Sequence, residues 1–201
     1  MPASPSPLID AGPLLAAHAA LWAQLDRFFP ASHFARADVP ARISRKGWDR
    51  LLRRTPWVGL CWLGVAPQAN NGRVFQGRSR WTVFLAARNE HAPAARTTGA
   101  ATGPGLLGMT QVAVFAFSGF SAPGVGTVTL GEATNLTADE WDDEAAAIAG
   151  IPVDLPCGIG GEDGISADDL DEFLRAGATW FFDPLPPGGP AAASDTIEVR
   201  S

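Results

Sequence analysis

The chain has no tyrosine, one lysine, two cysteines and three histidines in 201 residues, and no long uninterrupted apolar run. Each scarcity closes off a class of function. Seven Trp and eleven Phe without a tyrosine give a core that is aromatic yet poor in phenolic hydroxyls. Cys61 and Cys157 are far apart and have no C-x-x-C partner, so they build neither a disulfide framework nor a zinc ligand pair. Cys61 sits in the apolar run 57–65 and is expected to pack as a small hydrophobe. His18, His33 and His91 are isolated, without H-x-H or H-E-x-x-H spacing, which leaves no transition-metal set. Ser118 and Ser121 stand outside any G-x-S-x-G, so an esterase-type nucleophile has no support. An ordinary spanning helix would need about 18 apolar residues in succession, and none are found. Residues 1–7 carry no basic region or apolar core, so no signal peptide is expected and the chain is read as made and kept in a reducing cytosol. Lys46 alone against fourteen Arg reflects the GC-rich bias also seen in abundant Ala, Gly and Pro, which lowers the weight of any single Arg. No cofactor is expected, and the chain is read as non-enzymatic.

What the chain does have is a lengthwise split of charge. Residues 1–131 hold 13 basic residues against 5 acids, a net of +8, whereas residues 132–201 hold 2 basic residues against 16 acids, a net of −14. Two opposed fields of this kind neutralise one another within a chain or between identical neighbours. The second arrangement makes head-to-tail contacts, which close into rings when the rotation permits.

Hydrophobic content of 46% with 18% charge is globular, and the length suits one domain with an appendage. Leu14, His18, Leu21, Leu25 and Phe28 recur at helical spacing between Pro13 and Pro30, predicting a helix over 12–29. His18, inside that stripe, is read as a packed, satisfied histidine. Residues 39–44 are expected as a short strand, and Trp48, Leu51 and Leu52 mark a short basic helix before Pro56. The run 57–65 predicts a central strand covered on both faces. A turn over 67–73 then leads to a long strand over 74–89, and 90–102 reads as a polar loop. Residues 105–120 read as a second long helix, with Leu107, Val114 and Phe115 as its apolar positions, Met109 and Val112 beside them, and Gly119 as its stop. A half-exposed strand is expected over 125–133 and a last strand over 145–155 at a sheet edge, where Pro152 is tolerated. Thr137 and Glu140 have capping-box spacing, so a short helix competes there.

The fold class is therefore α+β: a mostly antiparallel sheet of about four or five strands with two long helices on one face. The domain spans 1–155, with 1–9 as a flexible leader, and 156–201 form an acidic, Pro/Gly-rich arm. One short helix is expected on the arm, from Ser166 through Leu170, Phe173 and Leu174. Trp180, Phe181 and Phe182 follow, and three such side chains are costly to leave in water, so they are expected to dock on this core or on a neighbour's.

Two groups of residues stand out as binding candidates. Arg42, Arg45, Lys46, Arg50, Arg53 and Arg54 form a basic cluster, with Lys46, Arg50, Arg53 and Arg54 on the helix side opposite Trp48, Leu51 and Leu52. It suits phosphate contacts, an acidic surface on an adjacent copy, or plain solvation. Asp139, Glu140, Asp142 and Asp143 form an acidic run whose spacing is not that of an EF-hand loop, and a solvated face is its default reading. Gly103-Pro-Gly105-Leu-Leu-Gly108 matches G-x-G-x-x-G, but it follows a long loop rather than a tight strand-to-helix turn. A glycine-rich helix start is the preferred reading.

The stretch Phe75-Gln-Gly77, Trp81-Thr-Val83-Phe-Leu85, Arg88-Asn89, then Gly105-Leu-Leu-Gly108 through Phe117-Ser-Gly119, resembles phage tail proteins of the Mu type, over about residues 10–155. That resemblance implies a tail terminator: a structural virion protein that caps the growing tail tube as a ring, commonly a hexamer, and offers a surface to a neck or head-completion protein. Its partners would be copies of itself, the tail tube protein and the neck protein, with DNA passing through the lumen without specific binding and no membrane contact. It would be assembled in the bacterial host cytoplasm and reside in the virion. A neck or head-closure connector of the same particle is the nearest alternative. A non-viral cytosolic ligand-binding α/β domain, with 99–108 edging a pocket, is the other.

Overall fold

The computed structural model describes residues 11–71, 74–89, 94–101, 103–136 and 146–160. The acidic run 139–143, the Thr137/Glu140 capping box and the arm from 161 onward, with its expected helix and aromatic triplet, lie outside the described residues.

Among the described residues, four helices and eight strands follow in chain order. Helix α1 is Pro13–Phe28 and α2 is Arg45–Leu52; α3 is the single turn Ala95–Thr98, and α4 is Leu106–Phe117. The strands are β1 (Ala35–Asp38), β2 (Trp57–Asn71), β3 (Val74–Arg88), β4 (Ser121–Ala122), β5 (Gly126–Thr127), β6 (Thr129–Leu130), β7 (Thr134–Asn135) and β8 (Ala146–Ile159). The main sheet runs β1-β2-β3-β8-β6, with β7 also on β8, and only the β1–β2 pair is parallel. The chain is thus α+β with a mostly antiparallel sheet.

Strand alternation sorts side chains into two cores. On one face Val58, Leu60, Trp81, Val83, Leu85, Ile151, Val153 and Leu155 meet Leu21 and Leu25 of α1 and Met109, Ala113 and Phe117 of α4. On the other, Trp57, Cys61, Ala86 and Ile148 meet Val39 and, from α2, Trp48 and Leu52. There the Trp48 ring lies 5.5 Å from Phe84, edge to face, and 6.1 Å from Trp57. Each fully buried large side chain of these cores contributes roughly 1.5–3 kcal/mol. Cys61 is buried as a small hydrophobe, as its apolar run predicts, and both cysteines are free.

Several elements differ from the sequence reading. The strand expected over 39–44 is instead Ala35–Asp38, paired from Ala35↔Trp57 to Asp38↔Leu60. The Val39 amide donates to the Leu60 carbonyl, and Pro40, having no amide hydrogen, ends the ladder. The turn expected over 67–73 is mostly strand, because β2 pairs with β3 through Asn71↔Val74. Register shifts at Trp62/Gly64 and Pro67/Ala69 absorb Pro67 into the strand. Strand β8 is internal rather than an edge: β3 pairs along its length on one side, and β6 and β7 take the other. Pro152 falls between those two short pieces, where its carbonyl accepts the Gly131 amide at 2.8 Å. Because β8 continues to Ile159 and buries Cys157, the domain extends past the boundary expected at 155. The 125–133 strand is broken, as Val128 turns inward and its amide bonds to the Phe120 carbonyl.

One edge is left open. Strand β1 covers β2 only from Trp57 to Leu60, and among the described residues no strand pairs with the outer edge of β2 beyond it.

Candidate functional site

Three surface features are built on this frame. The first is the basic helix. Ser44 caps α2, its hydroxyl accepting the Gly47 amide at 3.3 Å, and Trp48 and Leu52, one turn apart, anchor the helix to the sheet. That anchoring turns Lys46 and Arg50 outward, with Arg53 and Arg54 just past the last turn. All six predicted cations, Arg42, Arg45, Lys46, Arg50, Arg53 and Arg54, are exposed. The acids predicted to face them, Asp139, Glu140, Asp142 and Asp143, and the aromatics Trp180, Phe181 and Phe182 lie outside the described residues.

The second feature is the outer face of α4. The residues buried there are Leu106, Met109, Ala113, Ala116 and Phe117. Leu107, Val112, Val114 and Phe115 are exposed, Phe115 at 73% and Leu107 at 55%. Small Ala113 and Ala116 let α4 approach α1 closely enough for the Gln24 amide to donate to the Ala116 carbonyl. Of the apolar positions named from the sequence, Met109 is buried, whereas Leu107, Val112, Val114 and Phe115 are on the outside. Phe28 of α1 meets Phe115 from the flank, with the two rings near perpendicular at 5.9 Å.

The third is a groove of about 750 Å³ beside the open edge of β2. Leu60, Trp62 and Trp81 of the sheet line it, with Leu14 and Leu15 of α1 on one side and 39–41 on the other. Its polar end is a three-residue cluster that the sequence reading missed. The Trp22 indole donates to Asp38 Oδ1 at 2.9 Å, and His18 Nε2 lies 3.0 Å from the same oxygen. With Nε2 protonated, histidine and tryptophan both donate to one carboxylate. The His18 ring also lies 5.7 Å from Trp81. The i, i+4 spacing of His18 and Trp22 was the available signal; Asp38, on the neighbouring strand, gave none. His18 is thus satisfied, but at a groove mouth rather than inside the core. None of the residues lining the groove carries a hydroxyl or thiol.

The predicted pocket edge over 99–108 does not line this groove. In the glycine motif only Gly105 is sterically required: a Cβ there would overlap the backbone of Gly99 and Thr98, whereas Gly103 and Gly108 face open space. This is a tight helix start. Among the described residues no group of three His, Cys, Asp or Glu could hold a metal ion, and no helix is long and apolar enough to cross a membrane. Burial pushes the Cys61 and Cys157 thiols above their ordinary pKa. The chain matches no family model and no curated protein.

Proposed function

We propose that this protein is a ring-forming structural subunit of a phage tail, acting as the terminator that caps the tail tube. The observation that carries the reading is the outward row Leu107, Val114 and Phe115 on a helix whose opposite side already fills the core. A row of this kind is uncommon on a free monomer and fits burial against another subunit. The lengthwise charge split supports a head-to-tail contact, with the basic α2 region of one copy meeting the acid-rich later part of the next. The capping action is steric: one ring face matches the tube, the other does not, and further addition stops. The resemblance to Mu-type tail proteins supplies the identity of the tube and neck as partners.

The test is the native mass of the purified protein across a salt series, alone and with tail tube protein. A closed oligomer that loosens as salt screens its ion pairs is expected. A strict monomer at low salt that ignores added tube protein would remove the basis of the reading. The groove beside β2 favours a second reading, a ligand-binding domain, whose signature would be thermal stabilisation by a small apolar compound.

A further inference from the structure

The groove beside β2 is lined mostly by apolar side chains and carries one acid, at its polar end. Trp62 is 47% exposed and its ring centroid lies 6.4 Å from that of Trp81, so two indoles give the groove an aromatic wall. Asp38 is the acid, its side chain 68% exposed. Among the described residues its partners, the Trp22 indole at 2.9 Å and His18 Nε2 at 3.0 Å, both take Oδ1, and Oδ2 has none. No arginine among the described residues pairs with it: Arg36, two positions back on β1, is held by Asp26 at 2.7 Å. The donors at this end are spent as well. The Trp22 N–H and, in the tautomer that serves Asp38, the His18 Nε2–H are used. The Val39 amide goes to the Leu60 carbonyl, and Pro40 has no amide hydrogen. What remains is acceptor capacity, on Asp38 Oδ2 and, in that tautomer, on His18 Nδ1. Asp38 is in register with Leu60, and Trp62 follows on the same strand face about 7 Å further along.

We infer that the groove is a binding site for a small organic cation, an amine with an aromatic or aliphatic body, its ammonium on Asp38 Oδ2 and its body over Trp62 and Trp81. This names a ligand class for the ligand-binding reading of the groove given above, and it rests on that reading. The chemistry of the polar end selects the class. An anion would meet the Asp38 charge and find the neighbouring donors already used. A neutral apolar compound would fill the groove but leave the carboxylate oxygen to water. An ammonium donates N–H to that oxygen, and its charge is attracted to the indole faces. So exposed an ion pair contributes little by itself, because water screens it. Affinity comes instead from apolar burial in a groove of about 750 Å³, within the usual size of small-molecule pockets. The charge decides which ligand enters. Trp22 and His18 act as positioning residues, holding the carboxylate by Oδ1 and leaving Oδ2 as the binding atom. The step of about 7 Å from the Asp38 register position to Trp62 suits an ammonium joined to a ring by a short carbon chain.

The test is a magnetic-resonance titration of the full chain at low salt, read from the Trp22 and Trp62 indole signals. The probes are phenylpropylamine, phenylpropanol and phenylpropionate, which share one skeleton and differ in head-group charge. The amine should bind tightest, the alcohol roughly tenfold more weakly, and the carboxylate weakest. Asp38→Asn keeps an acceptor for Trp22 and His18 and removes the charge. It should bring the amine down to the alcohol's affinity and leave the alcohol unchanged. Trp62→Ser should weaken amine and alcohol alike, and thermal melts without ligand check the folding of both variants. Should a variant fail to fold, the parent's ranking of the probes decides by itself. Equal binding of amine and alcohol by the parent would overturn the inference while keeping the groove as an apolar ligand site. A preference for the amine that survives Asp38→Asn would overturn it too, assigning the cation to acids elsewhere on the chain. Binding of none of the probes would remove the groove reading together with the inference.

Discussion

Replacing Phe115 by serine separates a subunit contact from a folding contact. The ring is 73% exposed, so of the roughly 200 Å² that a phenylalanine can bury about 150 Å² is left for a neighbour to cover. At about 25 cal/mol per Å² that area sets an upper bound of about 4 kcal/mol for each contact. Association costs reduce the realised share, and about 2–3 kcal/mol is the range expected of a central aromatic anchor. Subunit affinity should then fall roughly 30- to 150-fold. Within the monomer the ring is mostly exposed and meets Phe28 at 5.9 Å, so the fold should lose about 1 kcal/mol. Sedimentation over a concentration series, with a thermal melt taken far below the association range, reads both quantities. An unchanged dissociation constant, or a loss of stability as large as a core truncation, would refute the reasoning.

Three further outcomes follow from the same geometry. Reversing Lys46, Arg50 and Arg53 to glutamate should weaken self-association at low salt and flatten its salt dependence, measured by the same sedimentation series, while α2 stays anchored by Trp48 and Leu52. Gly105→Ala should destabilise the fold by about 1–3 kcal/mol because backbone blocks the new methyl, whereas Gly108→Ala should stabilise it by about 0.5–1 kcal/mol; chemical denaturation distinguishes them. The buried Cys61 and Cys157 thiols keep their protons in the fold after the unfolded chain has begun to lose them. Their contribution is therefore full below about pH 8.5, the ordinary thiol value, and declines as pH rises toward the raised folded values. Denaturation midpoints should drop on that alkaline side, and a Cys61→Ala/Cys157→Ala chain should drop less.

The helix over 13–28 was legible because its apolar positions repeat with one period and Pro13 and Pro30 bracket them. Helix α4 was legible in extent but not in orientation. Its sequence is apolar on all sides, so periodicity gives no direction, and the close approach to α1 that buries Ala113 and Ala116 is a tertiary fact. The short parallel strand Ala35–Asp38 hides behind Arg36 and Asp38, whose side chains are taken by partners on α1: Arg36 pairs with Asp26 at 2.7 Å, and Asp38 with His18 and Trp22. Pro67 and Asn70 read as a turn because local propensity favours one, yet pairing with β3 and two bulges carries the strand past them. The groove depends on where β1 stops relative to β2, a register that no local pattern encodes. The basic helix, in contrast, was readable in its buried side, because Trp48 and Leu52 set which way Lys46 and Arg50 point, although Arg53 and Arg54 fall past its last turn.

The most direct test is the length of tails made by particles deprived of this chain. The account predicts tubes that overrun their normal length and carry no heads. Tails of normal length joined to heads would contradict it, and tails of normal length left unattached would move the protein from the tube's end to the neck.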